Sequence, residues 1–366
     1  MYNIDERISR LKSRRNDGWN EALLSRGYYE NFESRTNQKA TKYALGAMQE
    51  VNKRSTEISI EEFEKVRDGL KSCLPGRGFN PDFRLQGSVA CNIHIKGVSD
   101  VDMLEVNGDL FTYSTGGARG NLYTPSQATA SPASEVLKMR SITESELEKR
   151  YYAATIDKSN AKSIQLSGGS FRRKVDVVPS HWHDGEDYQL FREEKYRGIV
   201  IVNKKNLESI KNYPFLFADR INKKGSETAD GSKMATRLLK SIKSDSEYEN
   251  QLSSYDIASL MYSCPSDQIR SFEARDLSVF AGAEQWLDYL MKNKLIAMDL
   301  DTPDGTRKIL DSEKKWEGLI VLAIETSALA NEVFKETVGP YYWGDTGVSS
   351  VRKSLEEARV PLVPAY

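Results

Sequence analysis

Residues 85–103 read LQGSVACNIHIKGVSDVDM. Gly87-Ser88 stands near the start of this stretch and Asp100-Val101-Asp102-Met103 closes it. In an extended strand, side chains two residues apart point to the same face. Asp100 and Asp102 therefore project together, while Val101 and Met103 enter the core. Two adjacent carboxylates repel, and one tends to take up a proton. A divalent ion relieves that repulsion, and Mg²⁺ favours hard oxygen donors, commonly carboxylates together with substrate phosphates. A third acid has a similar setting in Arg173-Lys174-Val175-Asp176-Val177-Val178-Pro179. A carboxylate inside a β-branched run goes against strand propensity and calls for a reason. If the two strands are neighbours, Asp176 completes a cluster able to hold two metal ions about 3.5–4 Å apart for in-line phosphoryl transfer. Gly87 lets the main chain come close to phosphates. Backbone N–H groups at a helix start, with the Ser88 hydroxyl, suit a triphosphate. Gly-Ser alone is usually a turn and Asp-x-Asp alone is common. Their combination at this spacing, followed by a strand-embedded Asp, is far more specific than either part.

Around that stretch lies a chain of 366 residues, long enough for two or three lobes with a sizeable core. Hydrophobic residues make up 39% and charged residues 29%, the balance of a globular rather than a disordered chain. Lys+Arg is 52 against Asp+Glu 53, so no global charge favours nucleic acid or an anionic membrane. Cys73, Cys91 and Cys264 lie far apart, which excludes a disulfide framework and a cysteine-rich zinc site. The N-terminus MYNIDERISRLKSRRND carries charges where a signal peptide is apolar. No apolar run approaches the roughly 18–20 residues of a membrane span. A cytoplasmic protein is expected.

The first 75 or so residues read as helical. Ser59-Ile60-Glu61-Glu62 has the form of a capping box, Pro75-Gly76 provides a stop, and residues 37–53 carry apolar side chains at helical spacing. From Asp82 the pattern turns to short alternations: Phe83 and Leu85; Val101, Met103 and Val106; Leu110 and Phe111. Residues 113–131 read as a loop, and Ser131-Pro132 opens a helix to about Tyr152. Strands are expected at 163–166 and 173–178, joined through a hairpin at Gly168-Gly169, and again at 198–202. Beyond 206, helices are expected near 206–213, 231–244, 254–262, 278–292 and 311–332. The reading is an α+β protein: N-terminal helices plus a mixed-sheet core over 1–205, and a helical C-terminal lobe over 206–366.

Two groups in the C-terminal half are candidates for ligand contact. Lys233, Arg237 and Lys240 share a helix face, a stripe that suits a triphosphate or simply faces solvent. Tyr255 follows Ser253-Ser254, a plausible N-cap, and stacks on a base or packs as a half-buried core residue. His181-x-His183 has no cysteines clustered beside it and reads as surface or core. His94 is taken as structural.

Gly87-Ser88, the gap, Asp100-x-Asp102 and Asp176 together resemble the polymerase-β-like nucleotidyltransferases, and within them the cGAS/DncV-like nucleotidyltransferases (CD-NTases). Asn212-Tyr213-Pro214 and Ile221-Asn222-Lys223-Lys224 look like that family's connector between lobes. Arg237-Leu-Leu-Lys240 looks like its phosphate-facing helix. Ser253-Ser254-Tyr255-Asp256 looks like the following helix, where a Ser and an aromatic meet the nucleotide. The resemblance covers about residues 40–310.

It implies a bilobed fold and an Mg²⁺-dependent enzyme, with Mn²⁺ as a substitute. It also implies condensation of NTPs into a cyclic di- or trinucleotide second messenger with release of pyrophosphate. Asp100, Asp102 and Asp176 are then the catalytic and metal-binding residues. Gly87, Ser88, Arg237, Lys240, Ser254 and Tyr255 bind nucleotide. The family further implies a monomer working in bacterial antiphage signalling, with a cyclic-nucleotide-gated effector downstream. The zinc ribbon of the animal enzyme is missing, and nothing in the sequence supports activation by DNA. Alternatives on the same core are a linear oligonucleotide synthase, a nucleotidyltransferase acting on RNA, protein or a small molecule, and a catalytically silent nucleotide-binding protein.

Overall fold

A computed structural model describes residues 3–15, 32–95, 100–124, 130–339 and 342–362. It divides into two compact units. One, the sheet unit, contains Lys53–Cys91 and Ser99–Asp219; the other, the helical unit, contains Met1–Asn52, Asn92–Val98 and Arg220–Tyr366. A single cut near residue 205 does not reproduce this division. The N-terminal helices group with the C-terminal ones, and a short stretch after Cys91 belongs to the helical unit as well.

Among the described residues of the sheet unit, seven strands form one mixed sheet: β1 (Pro81–Gln86), β2 (Val101–Tyr113), β3 (Thr155–Asp157), β4 (Ile164–Ser167), β5 (Val175–Asp184), β6 (Gly198–Val202) and β7 (Ser209–Asn212). The order is β1-β2-β5-β4-β3. The first half of β5 pairs with β4, and its second half pairs with β6, which in turn pairs with β7. Among these strands the central pair, β2 and β5, is parallel and the other pairs are antiparallel. The crossover between them includes the Pro132–Arg150 helix, which Ser131 caps by accepting from the Ser134 N–H at 3.1 Å.

Alternation sorts the side chains of these strands. Val101, Met103, Val175 and Val177 join Ile164 and Leu166 in a buried cluster with Phe63, Val66 and Leu70 of the Lys53–Cys73 helix and Met139 and Leu147 of the Pro132–Arg150 helix. The opposite face carries a smaller cluster farther along the same strands, Leu104, Val106, Val178 and Trp182 with Ile199 and Ile201. Asp102 and Asp176 occupy that second face, ahead of the apolar cluster.

In the helical unit, Ile4–Arg15, Lys39–Met48, Gly231–Asp245, Ser254–Ser263, Asp276–Lys292, Glu313–Val338 and Val348–Glu357 share one apolar core. Polar ties fix the N-terminal helices to it. The Arg7 guanidinium meets Glu325 at 2.8 Å with both side chains buried, and Tyr43 Oη donates to Asp245 at 2.7 Å beside Arg14.

Two sequence expectations differ from these elements. Ser59-Ile60-Glu61-Glu62 does not start a helix; it lies inside Lys53–Cys73. Ser59 Oγ bonds the Ser55 carbonyl, and buried Glu62 accepts from the Arg172 guanidinium at 2.9 Å, so tertiary contact replaces capping. Residues 206–213 contain strand β7 rather than a helix, because Leu207 adopts a positive φ of 61° that closes a hairpin with β6. The two motifs read as a connector, at 212–214 and 221–224, stand on either side of the division after Asp219, and the helix Pro214–Glu227, with proline at its first position, runs through it. The strands expected at 163–166, 173–178 and 198–202 and the helices near 231–244, 254–262, 278–292 and 311–332 are present, but the strand expected to end at 178 runs on to Asp184 and the helix expected to end at 332 runs on to Val338.

Candidate active site

The site is set by strand register. In the parallel ladder Asp102 lies opposite Asp176. On the outer sides, Gln86 of β1 is opposite Asp102 and Gln165 of β4 is opposite Asp176. A single row therefore runs Gln86–Asp102–Asp176–Gln165 across four strands, with neighbouring strands about 4.8 Å apart. Asp100 sits immediately before β2, two residues from Asp102. Its Val101 neighbour is anchored by an N–H bond to the Lys174 carbonyl at 2.9 Å, so the entry to β2 is tied to the entry to β5.

Gly87 follows β1 and adopts a φ of 74°, in the left-handed region. A Cβ there would lie 2.0 Å from Asp102 Oδ2. The glycine is thus required twice, once for its backbone angle and once for the carboxylate pressed against it. Ser88 follows within the short Gly87–Ala90 helix, half-buried.

Burial and like charge both act on these carboxylates. Burial pushes the Asp100 carboxyl up, opposed by the Lys174 ammonium. Burial also pushes Asp176 up, the Gln165 amide opposes this through a 3.2 Å bond to Oδ1, and the Asp100 charge adds to the rise. The effect of the Asp100 charge on Asp176 places the two within electrostatic reach. Among the described residues, no three His, Cys, Asp or Glu side chains already form a closed metal cage. The carboxylates are matched by backbone register, while one oxygen of Asp176 is engaged by Gln165 and one of Asp102 rests against Gly87. A donor set of hard carboxylate oxygens, desolvated and mutually repelling beside a glycine turn, fits a divalent cation.

The helical-unit candidates fall elsewhere. Ser253 caps the Ser254–Ser263 helix in a reciprocal capping box with Asp256, which confirms the N-cap reading. Ser254 is exposed at its first turn. Tyr255 is half-buried; its hydroxyl donates to Asp304 Oδ1 at 2.7 Å, and the Arg307 guanidinium lies 5.2 Å from its ring centroid. Arg307 also pairs with buried Asp256 at 2.6 Å.

Arg237 and Lys240 do not form an open cationic stripe. They are 2% and 4% exposed, and both head groups donate to main-chain carbonyls. Lys233 is also largely covered, with its ammonium 3.8 Å from Asp230. The amphipathic pattern of Gly231–Asp245 places this face inward, which helical spacing alone does not reveal. His181 and His183 are buried within β5; the His181 ring bonds the Trp182 carbonyl, and Thr112 Oγ1 meets His183 Nδ1 at 2.9 Å.

Gln86, Gln165, Asp304 and Arg307 carry no sequence signal of their own, and only strand pairing or tertiary contact shows their place. Glu105 is a further carboxylate of β2. It is fully buried on the core face, accepts the Thr143 hydroxyl at 2.6 Å, and has its carboxyl pushed up to about 8 by burial.

Register-matched aspartates beside a glycine turn, on a mixed sheet with a separate helical unit, define a nucleotidyltransferase. Comparison with known proteins agrees. Residues 219–324 match the C-terminal helical domain of the cGAS/DncV-like nucleotidyltransferases. A cyclic dinucleotide synthase, CdnE, from Yersinia aleksiciae is 38% identical over 303 residues, 82% of this chain and 78% of that protein. A c-di-GMP synthase from a Lachnospiraceae bacterium is 28% identical over 86% of this chain and 91% of its own length. The structure of a STING-associated CdnE c-di-GMP synthase from Capnocytophaga granulosa superposes with a TM-score of 0.71 at 26% identity, covering 90% of this chain and 97% of that one. The chain belongs to the cGAS/DncV-like nucleotidyltransferase family. Among the described residues, no helix is long and apolar enough to cross a membrane.

Proposed function

We propose that this nucleotidyltransferase condenses two nucleoside triphosphates into a cyclic dinucleotide second messenger, releasing pyrophosphate at each bond. The observation that supports this most strongly is the in-register pairing of Asp102 with Asp176 beside Gly87. Asp100, Asp102 and Asp176 would hold Mg²⁺, with Mn²⁺ as a substitute. When bound, the metal neutralises donor phosphate charge and makes the acceptor hydroxyl more acidic. Gly87 leaves the space in which the main chain meets the phosphates, and Ser88 offers its N–H and hydroxyl to them. Gln165 orients Asp176 through Oδ1. Ser254 and Tyr255 supply the nucleoside contact. The remaining catalysis is positioning, which holds two reactants where a bimolecular reaction becomes effectively unimolecular.

Relatives named c-di-GMP synthases make GTP the first substrate to test. The product would act in the cytoplasm on a nucleotide-gated effector of antiphage defence, as the STING-associated naming of one structural relative suggests. The test is incubation with each NTP and with all four, in Mg²⁺ and in Mn²⁺, followed by phosphatase treatment and mass spectrometry. A phosphatase-resistant mass of two nucleoside monophosphates less two waters is the expected product. A ladder of phosphatase-sensitive linear oligomers identifies a linear synthase instead, and nucleotide binding without pyrophosphate identifies a silent binder.

A further inference from the structure

Arg237 and Lys240 are buried cations, and a buried charge is strongly disfavoured unless it is hydrogen-bonded. Their partners therefore indicate what they do. Arg237 Nε donates to the Met48 carbonyl at 2.8 Å and Nη1 to the Asn92 carbonyl at 2.8 Å. Lys240 Nζ donates to the Ile93 carbonyl at 2.8 Å. Two consecutive carbonyls, Asn92 and Ile93, are thus held by two cations one helical turn apart.

The held stretch shows other signs of being fixed. Asn92 has a φ of 53°, uncommon for a residue with a Cβ, and its side-chain amide donates to Glu50 at 2.7 Å. Ile93, His94 and Ile95 are all buried. This stretch belongs to the helical unit, whereas Cys91 before it and Ser99 after it belong to the sheet unit. In the chain it joins the Gly87-Ser88 turn to the Asp100–Asp102 entry of β2.

We propose that Arg237 and Lys240 are positioning residues that hold the main chain at Asn92 and Ile93, the stretch that follows Ser88 and precedes Asp100 in the chain, rather than phosphate ligands. The catalytic part of this inference rests on the function proposed above; the clamp itself does not.

The test pairs steady-state kinetics with hydrogen exchange on the full chain. Lys240→Met removes the charge and keeps the length, and Lys240→Arg keeps a donor. Lys240→Met is expected to lower kcat about tenfold or more with NTP KM within about threefold, since a charge-assisted hydrogen bond contributes about 1.5–3 kcal/mol. Exchange of amides in residues 92–95 should rise by a similar factor while the Asp276–Lys292 helix stays protected, and Lys240→Arg should restore most of both. A rise confined to NTP KM, with kcat and local exchange unchanged, would overturn the proposal and return Lys240 to the phosphates. Should Lys240→Met fail to fold, Glu50→Ala loosens the same stretch from its exposed side. It is expected to raise exchange at 92–95 and lower kcat about twofold to fivefold, a share in keeping with one hydrogen bond at the surface; no change in either counts against the clamp. If the chain makes no product from any NTP, the exchange measurement still decides the clamp, so the two readings fail separately.

Discussion

Asp102 and Asp176 are direct partners in the parallel ladder of β2 and β5, one strand spacing apart on the same face of the sheet. Both sit where a large apolar residue would otherwise extend the cluster of Leu104, Val106 and Val178. Their carboxylates are a stability liability in exchange for chemistry. Asp176→Asn should therefore reduce turnover by at least about a hundredfold, because even outer-sphere partners of a metal contribute about 10–100-fold. Its thermal midpoint should stay level or rise, because the neutral amide removes the repulsion from Asp100 and the desolvation that pushes the Asp176 carboxyl up. Asp102→Asn should behave alike in turnover. Activity near that of the unaltered chain in either variant, measured as pyrophosphate release, would remove the site.

Gly87 makes a separate prediction because two independent constraints meet there. Its φ of 74° disfavours any residue with a Cβ, and that Cβ would collide with Asp102 Oδ2. Gly87→Ala should lose stability by about 1–2 kcal/mol from the backbone angle alone. Its activity should fall further than the stability loss explains, since Asp102 must rotate away. Turnover measured well below the unfolding midpoint separates the two effects; a variant that is merely less stable should keep full turnover there.

Glu105 predicts a pH dependence of stability. Its folded carboxyl is pushed up to about 8 by burial, with the Thr143 hydroxyl opposing the rise. A raised acid pKa means that the native state keeps a proton which the unfolded chain releases near pH 4.5. Between those values the unfolded state binds fewer protons, so stability falls as pH rises and levels off above about 8. Glu105→Gln does not ionise. Its midpoint should change less between pH 5.5 and 8 than that of the unaltered chain, and calorimetry across that range measures the difference. Parallel curves would show that the folded and unfolded chains release the Glu105 proton over the same pH range.

The catalytic face was legible in sequence because its signals are local. Period-two alternation puts Asp100 and Asp102 on one side, and the β-branched neighbours of Asp176 mark it as a strand residue out of character. The neighbouring placement of β2 and β5 was only a condition in that reading, and register supplies it. The orientation of the Arg237 and Lys240 face was not legible, because a cationic helix face looks the same whether it meets water, phosphate or buried carbonyls. The interleaving of the two units escaped for a related reason. Residues 92–95 have no composition that sets them apart from the strands on either side, and Tyr43, Arg7 and Arg14 find their partners more than 200 positions later. Ser59-Glu62 misled because a capping-box pattern is also compatible with a helix interior when Glu62 has Arg172 to bind.

Tyr255 allows its two roles to be separated by two substitutions. Its hydroxyl is a donor to Asp304, which also accepts from Thr302 and Thr306, and burial with the Asp304 charge pushes the phenol up, so it stays protonated. Its ring lies by Arg307 on one side. Tyr255→Phe removes only the hydroxyl and should destabilise by about 0.5–1.5 kcal/mol while leaving NTP KM within about twofold. Tyr255→Ala removes the ring as well. If the ring carries a base, KM should rise about fivefold to a hundredfold, the equivalent of 1–3 kcal/mol of stacking, with kcat little changed and with different factors for purine and pyrimidine NTPs. If the two variants instead lose the same amount of KM, the hydroxyl and its hold on residues 302–307 matter rather than the aromatic face, and Tyr255 leaves the nucleoside contact. If neither changes KM, Tyr255 belongs wholly to the packing of the helical unit.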